Sequence, residues 1–159
     1  MRVLGIDPGY GRFGWAIVEG NRAKQALVAC GCEETASNAA TPQRYLIILE
    51  RLEDLIKEYQ PEVAAVESLF YFKNAKTVIK VSESRGVVVV GLARAGITIS
   101  DYTPLQVKQA VTGYGRAEKT QVQAMIKAIL KLKVVPKPDD AADAVAVALT
   151  HLFTNIQLS

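Results

Sequence analysis

Four acidic residues stand where apolar segments begin or end, and together their side chains could do metal chemistry. Asp7 follows the apolar run "RVLGI", Glu67 follows "VAAV", and Asp140 and Asp143 open the apolar segment "DDAADAVAVALTHL". Asp143 carries the most information because it lies about one turn inside a predicted buried helix, where an unpaired charge is costly. Asp140 and Asp143 are three residues apart, so they share a helical face.

These four carboxylates predict a metal cluster if the fold brings them together. They would repel one another and could not all stay ionised unaided. A divalent cation removes that repulsion, and oxygen ligands select Mg²⁺ or Mn²⁺. Taken singly, Asp7 before Pro8 is typical of a turn, Asp140 of a helix cap and Glu67 of a strand end. Asp143 has no such ordinary role, which favours the cluster.

Other kinds of site are disfavoured by the sequence. The glycines of "GIDPGYGRFG" do not match G-x-G-x-x-G, and no predicted helix or Walker lysine follows, so a nucleotide site is not expected. His151 is the only histidine. It is placed about 16 Å along the helix axis from Asp140 and is predicted to be structural. The two cysteines of "CGC", at residues 30–32, are predicted to be reduced, since they fit neither a disulfide framework nor a zinc site.

Charge is distributed unevenly along the 159 residues, although the formal net charge is only +3. Residues 1–72 carry a net charge of −3, residues 73–133 a net charge of +8, and residues 134–159 a net charge of −2. A basic middle beside acidic ends suits a polyanion that lies near a carboxylate cluster, although a solvated helical surface is the alternative. No apolar run spans a membrane and no signal peptide is visible, so we expect a cytoplasmic protein.

Hydrophobic periodicity and turn signals predict an α/β fold in a single domain, residues 1–159. Three strands joined by turns should form an antiparallel meander, followed by strands that alternate with helices. The segment "GVVVVGL" has strand propensity, but the spacing of its polar neighbours favours a helix. The predicted strands are 2–7, 13–20, 25–34, 62–68 and 96–102, and the predicted helices are 41–59, 74–95, 104–112, 118–132 and 139–155. The expected result is a mixed five-stranded sheet covered by helices on both faces.

Four separated motifs, in order through essentially the whole chain, closely resemble the RuvC family of Holliday-junction resolvases. They are "LGIDPGYGRFGWAIVE", "AAVESLFYFKNAKTVIKVSESRGV", "LQVKQAVTGYGRAEKTQVQAMI" and "PDDAADAVAVALTH". The resemblance implies the RNase H-like fold and a Mg²⁺-dependent endonuclease. It also implies a homodimer that acts on four-way DNA junctions in recombination and repair, with a branch-migration helicase complex as a partner.

The resemblance carries the family's functional residues over by motif. The catalytic and metal-binding acids would be Asp7, Glu67, Asp140 and Asp143. The DNA-binding residues would be Phe70, Lys73, Asn74, Arg85, Lys108 and Lys119. Phe70 would act at the crossover, alone or with Tyr71 and Phe72, unless it is a core residue. The expected reaction is hydrolysis with two Mg²⁺ per subunit, for which Mn²⁺ can substitute, giving 5′-phosphate and 3′-hydroxyl ends.

Some points stay open at the level of sequence. The chain departs from many family members at Phe13 and at Trp15-Ala16, where we expect repacking without loss of activity. A DNA-binding module that does not cut, or a nuclease for RNA or RNA–DNA hybrids, are the alternative functions. The dimer interface is expected on the helix at residues 74–95. The alternative is that the apolar residues of this helix pack in the chain's own core. The residues in question are Val78, Val81, Val88 and Val89.

Overall fold

A computed structural model describes residues 1–68 and 74–154 of the chain. The described strands are β1 (Arg2–Pro8), β2 (Arg12–Gly20), β3 (Gln25–Glu34), β4 (Val63–Glu67) and β5 (Thr98–Tyr102). The described helices are α1 (Thr41–Tyr59), α2 (Ala75–Arg94), α3 (Pro104–Thr112), α4 (Lys119–Ile129) and α5 (Asp139–Thr154). No helix in these two ranges is long and apolar enough to cross a membrane.

The strands form one mixed sheet in the order β3-β2-β1-β4-β5. The first three strands pair antiparallel, and β4 pairs parallel with both β1 and β5. Helices α1 and α2 cover one face, and α3, α4 and α5 cover the other. The predicted α/β class, the mixed five-stranded sheet and its cover of helices on both faces are therefore confirmed.

Helix α1 begins and ends where the sequence signals place it, but its buried face differs from the predicted one. Pro42 occupies the first turn, and Gln60 ends the helix in the left-handed conformation at φ 48°. The predicted apolar stripe contained Tyr45, Leu49, Leu52, Ile56 and Tyr59. In the structure Ile48, Leu52 and Leu55 are the fully buried residues of α1, while Tyr45, Ile56 and Tyr59 are only partly buried. The helix is rotated by about one residue because the sheet and α2 meet it together.

Helix α2 is a helix despite its valine-rich sequence, as predicted. Val81 and Val88 are buried in the chain's own structure, and Val88 belongs to the core between α1, α2 and the sheet. The proposal that these two valines supply a dimer interface is therefore wrong. Val78 and Val89 are partly buried, and the strongly exposed apolar residues of α2 are Ile79 and Val90.

Candidate active site

Asp7 and Glu67 lie side by side at the ends of two neighbouring parallel strands. Ile6 pairs with Val66 in the register of β1 and β4, so the next residue on each strand is one of the two acids. Side chains alternate between the two faces of a sheet. Ile6 and Val66 are buried under α1 and α2, so both carboxylates point to the opposite face, which α5 covers.

Helix α5 reaches this face because two glycines let it approach the sheet closely. A Cβ added at Gly14 would lie 2.2 Å from the backbone oxygen of Asp140, and one added at Gly5 would lie 2.1 Å from the backbone oxygen of Ala144. Gly14 is also the antiparallel partner of Asp7. The absence of side chains at Gly5 and Gly14 thus places the first turn of α5 directly over the end of β1. Sequence reasoning missed this role, although both glycines interrupt strands, which signals close backbone approach.

Asp7 is surrounded by the other three acids. Burial raises its pKa well above the ordinary value, and the negative charges of Glu67, Asp143 and Asp140 raise it further. A hydrogen bond joins its carboxyl group to that of Glu67. Burial and the neighbouring negative charges therefore favour the protonated form of Asp7 when no cation offsets the charge.

Glu67 is held between the acids and two lysines. Burial, followed by the charge of Asp143, raises its pKa to about 7, although the hydrogen bond to Asp7 and the charges of Lys119 and Lys108 act in the opposite direction. The structure thus brings together the four acids predicted from the sequence. It also brings Lys108 and Lys119 to them.

Lys119 and Arg12 each contact one of the two predicted metal-binding acids of α5, Asp143 and Asp140. The Lys119 Nζ donates a hydrogen bond of 3.0 Å to Asp143 Oδ2, and the Arg12 Nη1 lies 3.7 Å from Asp140 Oδ2. Burial raises the pKa of Asp143, while Lys119 lowers it and the neighbouring acids raise it. Arg12, which begins β2, was not identified from the sequence, because the pairing spans 128 positions and leaves no local pattern.

The donor set fits a divalent cation by its chemistry. All four side chains offer carboxylate oxygens, and their mutual repulsion in a buried place is what a hard cation would relieve. In residues 1–68 and 74–154, however, no group of three or more His, Cys, Asp and Glu side chains is arranged around one point as ligands of an ion. Oδ2 of Asp143 and Oδ2 of Asp140 instead contact Lys119 and Arg12.

Among the other predicted DNA-binding residues, the structure describes Asn74 and Arg85, and both contact groups other than the four acids. Phe70 and Lys73 lie outside the residues that the structure describes. Asn74 caps α2, where its Oδ1 accepts a hydrogen bond of 3.0 Å from the backbone nitrogen of Lys76. Arg85 donates a hydrogen bond to Asp101, the residue paired with Val66, on the face of the sheet away from the acids. Asn74 and Arg85 therefore have structural roles, and their contact with DNA stays a prediction.

Of the other residues discussed from the sequence, Phe13 and Trp15 lie on the face of the sheet opposite to the acids. Cys32 pairs with Gly14, and burial, followed by the charge of Asp140, raises the pKa of its thiol to about 11. His151 is buried, and its Nδ1 lies 2.8 Å from the hydroxyl of Tyr102, in keeping with a structural role. The two cysteines are free thiols. Phe13 and Trp15 pack under α1 and α2. Trp15 lies beside Tyr59 there, whereas Ala16 packs on the face that α5 covers. That the family departures at these positions repack the core without loss of activity stays a prediction.

Comparisons with known proteins agree with the site and the fold. The family model described as crossover junction endodeoxyribonuclease RuvC matches residues 3–151. The crossover junction endodeoxyribonuclease RuvC of Alkaliphilus metalliredigens is 54% identical over 153 residues, covering 95% of this chain and 92% of the relative. The corresponding protein of Caldanaerobacter subterraneus subsp. tengcongensis is 49% identical over 158 residues, covering 99% and 96%.

A solved structure matches as well. T. thermophilus RuvC in complex with a Holliday junction substrate has a TM-score of 0.92 and 37% identity, covering 96% of this chain and 93% of that one. The fold is thus RNase H-like, as predicted. Nucleases of this family are metal-dependent. This chain belongs to the RuvC family of crossover junction endodeoxyribonucleases.

Proposed function

We propose that this protein is a metal-dependent endonuclease that resolves four-way DNA junctions in recombination and repair. The observation that carries the proposal is the cluster of Asp7, Glu67, Asp140 and Asp143 beside Lys108 and Lys119, in a chain of this family. Its relative from T. thermophilus has been solved with a Holliday junction substrate. A module that only binds DNA gains nothing from four clustered, partly buried acids near a phosphate, since each of them repels it.

The reaction is hydrolysis of a phosphodiester bond. Oxygen from water forms a bond to phosphorus, the bond from phosphorus to the 3′ oxygen breaks, and the products are a 5′-phosphate and a 3′-hydroxyl. Two divalent cations, Mg²⁺ or Mn²⁺, held by the four acids would supply positive charge to the phosphate and acidity to the attacking water. No side chain is needed as a nucleophile, which agrees with a site built from carboxylates and lysines.

The protein's own residues prepare this site in two ways. Burial under α5 fixes the carboxylates of Asp7 and Glu67 on rigid strand ends, so these side chains lose little conformational entropy when they bind a cation. Lys108 and Lys119 place positive charge beside those acids, where it attracts the DNA backbone and offsets its repulsion from the carboxylates. The proposed DNA-binding set also contains Phe70, Lys73, Asn74 and Arg85.

Resolution of a junction also needs two cuts at symmetric positions. We propose a homodimer with twofold symmetry, which presents two identical sites to a substrate with the same symmetry. Helix α2 is the proposed interface, since Ile79 and Val90 on it are 58% and 66% exposed. A branch-migration helicase complex is the proposed partner that delivers the junction.

One assay tests the function against its rivals. The protein is incubated with Mg²⁺ and a labelled four-way junction, a linear DNA duplex of the same sequence, or an RNA–DNA hybrid. We expect paired nicks in the junction alone, with ends that a ligase can seal. The Asp7→Asn variant is the matched control, which should bind the junction without cutting it. Cutting confined to the hybrid would support the RNA nuclease, and junction binding without cutting by the wild type would support the DNA-binding module.

A further inference from the structure

Lys119 contacts two acidic residues of α5 that differ in their proposed roles. Its Nζ lies 3.0 Å from Asp143 Oδ2 and 3.5 Å from Asp139 Oδ2. Asp143 is a proposed metal ligand, whereas Asp139 is not. Lys119 therefore contacts both a carboxylate that would bind the divalent cation and a carboxylate that would not.

The position of Lys119 in its own helix gives no reason for its charge. Lys119 is the first residue of α4, and the N-terminal end of a helix disfavours a positive charge. The backbone at this end is already capped by Glu118 and Gln121. The two aspartates of α5 are therefore what stabilises the ammonium group here. Burial on its own lowers the pKa of Lys119, but the hydrogen bond and charge of Asp143 raise it overall.

Two further side chains contact Asp139 and orient its carboxylate toward Lys119. Lys137 Nζ lies 3.4 Å from its Oδ1, and Gln123 Nε2 donates a hydrogen bond of 3.3 Å to the same atom. Its other oxygen faces Lys119. The side chain is 48% exposed, so it stays ionised in contact with solvent while its orientation is fixed.

We propose that Asp139 is a positioning residue that takes Lys119 over from Asp143 when a divalent cation binds. This inference rests on the proposed function and names a step in its use. A divalent cation bound to Asp143 weakens the attraction of that carboxylate for the Lys119 ammonium group, because the two positive charges repel. Lys119 needs only a small movement to exchange one acceptor for the other, since it already contacts both. Asp139 then holds the Lys119 ammonium group at the edge of the acid cluster, where the same group can also contact a DNA phosphate.

The test is a titration of the full chain with Mn²⁺ in the absence of DNA, followed by calorimetry. Lys119→Met removes the competing cation and should tighten Mn²⁺ binding by about three- to fivefold, the range for loss of a partly exposed ion pair. Asp139→Asn removes the negative charge of the second acceptor and should weaken Mn²⁺ binding in an otherwise wild-type chain. In the Lys119→Met background the same change should weaken it less, because no lysine remains to be moved.

Lys137→Met is the matched control. Lys137 contacts Asp139 but is not paired with Asp143, so its loss should change Mn²⁺ affinity by less than about 1.5-fold after screening. Circular dichroism checks the fold of each variant, and Lys119→Gln replaces Lys119→Met if the latter does not fold.

Three results would overturn the inference. They are unchanged Mn²⁺ affinity in Lys119→Met, equal tightening in Lys137→Met, or an equal effect of Asp139→Asn in both backgrounds, which would show that Asp139 acts through its charge alone. Junction cleavage by the wild type separates this failure from failure of the proposed function. If the wild type cuts junctions, only the lysine transfer is refuted. If the wild type does not bind Mn²⁺ at all, the inference and the proposed metal dependence fail together.

Discussion

The two faces of the sheet are packed on different principles. Under α1 and α2 the core consists of large side chains, among them Phe13, Trp15 and Leu52. Under α5 the core also contains valines and leucines, but where the helix crosses β1 and β2 a Cβ at Gly5 or Gly14 would meet the helix backbone at little more than 2 Å. Large side chains bury more apolar surface, whereas small ones bring backbones together. The first face serves stability, and the second places charged groups of a helix over the ends of strands.

The largest expected effect separates function from stability on the α5 face. Asp7→Asn should reduce cleavage of a four-way junction by more than about 100-fold, since loss of a group that merely supports a metal ligand already costs 10- to 100-fold. Without added metal its melting temperature should rise, because Asp7 must take up a proton or bury its charge on folding at neutral pH, whereas an amide does neither. Single-turnover cleavage and thermal melts measure the two effects. Near-normal cutting in Mg²⁺ would contradict the assignment of Asp7.

The bulky face should show the opposite pattern. Leu52→Ala removes a fully buried side chain under α1 and should lower the free energy of unfolding by about 2–5 kcal/mol. The cleavage rate per folded molecule should stay close to that of the wild type, because none of the four clustered acids lies on this face. Chemical denaturation and active-site titration at low temperature measure these quantities. A large fall in the rate of the folded fraction would show that the two faces are coupled.

A single methyl group on the α5 face should disturb both properties. Gly14→Ala puts a Cβ 2.2 Å from the backbone oxygen of Asp140, so α5 must shift, at a cost of about 1–3 kcal/mol for overpacking. Because Asp140 and Asp143 move with the helix, cleavage should fall more than stability alone explains. Gly86→Ala is the control, since nothing lies within 4 Å of its added Cβ. Equal cleavage by both variants would refute the role of close approach.

The smallest effect concerns the basic side chains beside the acids. Lys108→Ala should weaken junction binding and reduce the slope of log affinity against log salt by up to about one unit, the value for one lost phosphate contact. Lys133→Ala, a change in the same basic segment but outside the proposed set, is the control. Fluorescence anisotropy at several salt concentrations gives the slopes. If both variants keep the wild-type slope, Lys108 does not contact phosphate.

Much of the fold follows from local sequence. Turn residues and alternating apolar residues identified the antiparallel meander, and the polar spacing around "GVVVVGL" identified α2 as a helix in spite of its valines. The acids were found in the same way, because each stands at the end of an apolar run where a charge needs a reason. The residues that form each of these patterns lie close together in the sequence, so the patterns can be identified without the tertiary structure.

Only the tertiary structure decided which groups meet across the chain. The buried face of α1 turned by one residue because the sheet and α2 together define the core it joins. Arg85 was assigned to DNA by its motif, yet Asp101 on β5 takes its guanidinium group. Lys119 and Asp143 are 24 residues apart, and their contact depends on how α4 packs against α5. The sequence by itself determined the elements and the chemical type of the site, because both depend on the spacing of residues that are close in the sequence. Its charge pairings depend on distances between elements, which packing alone sets.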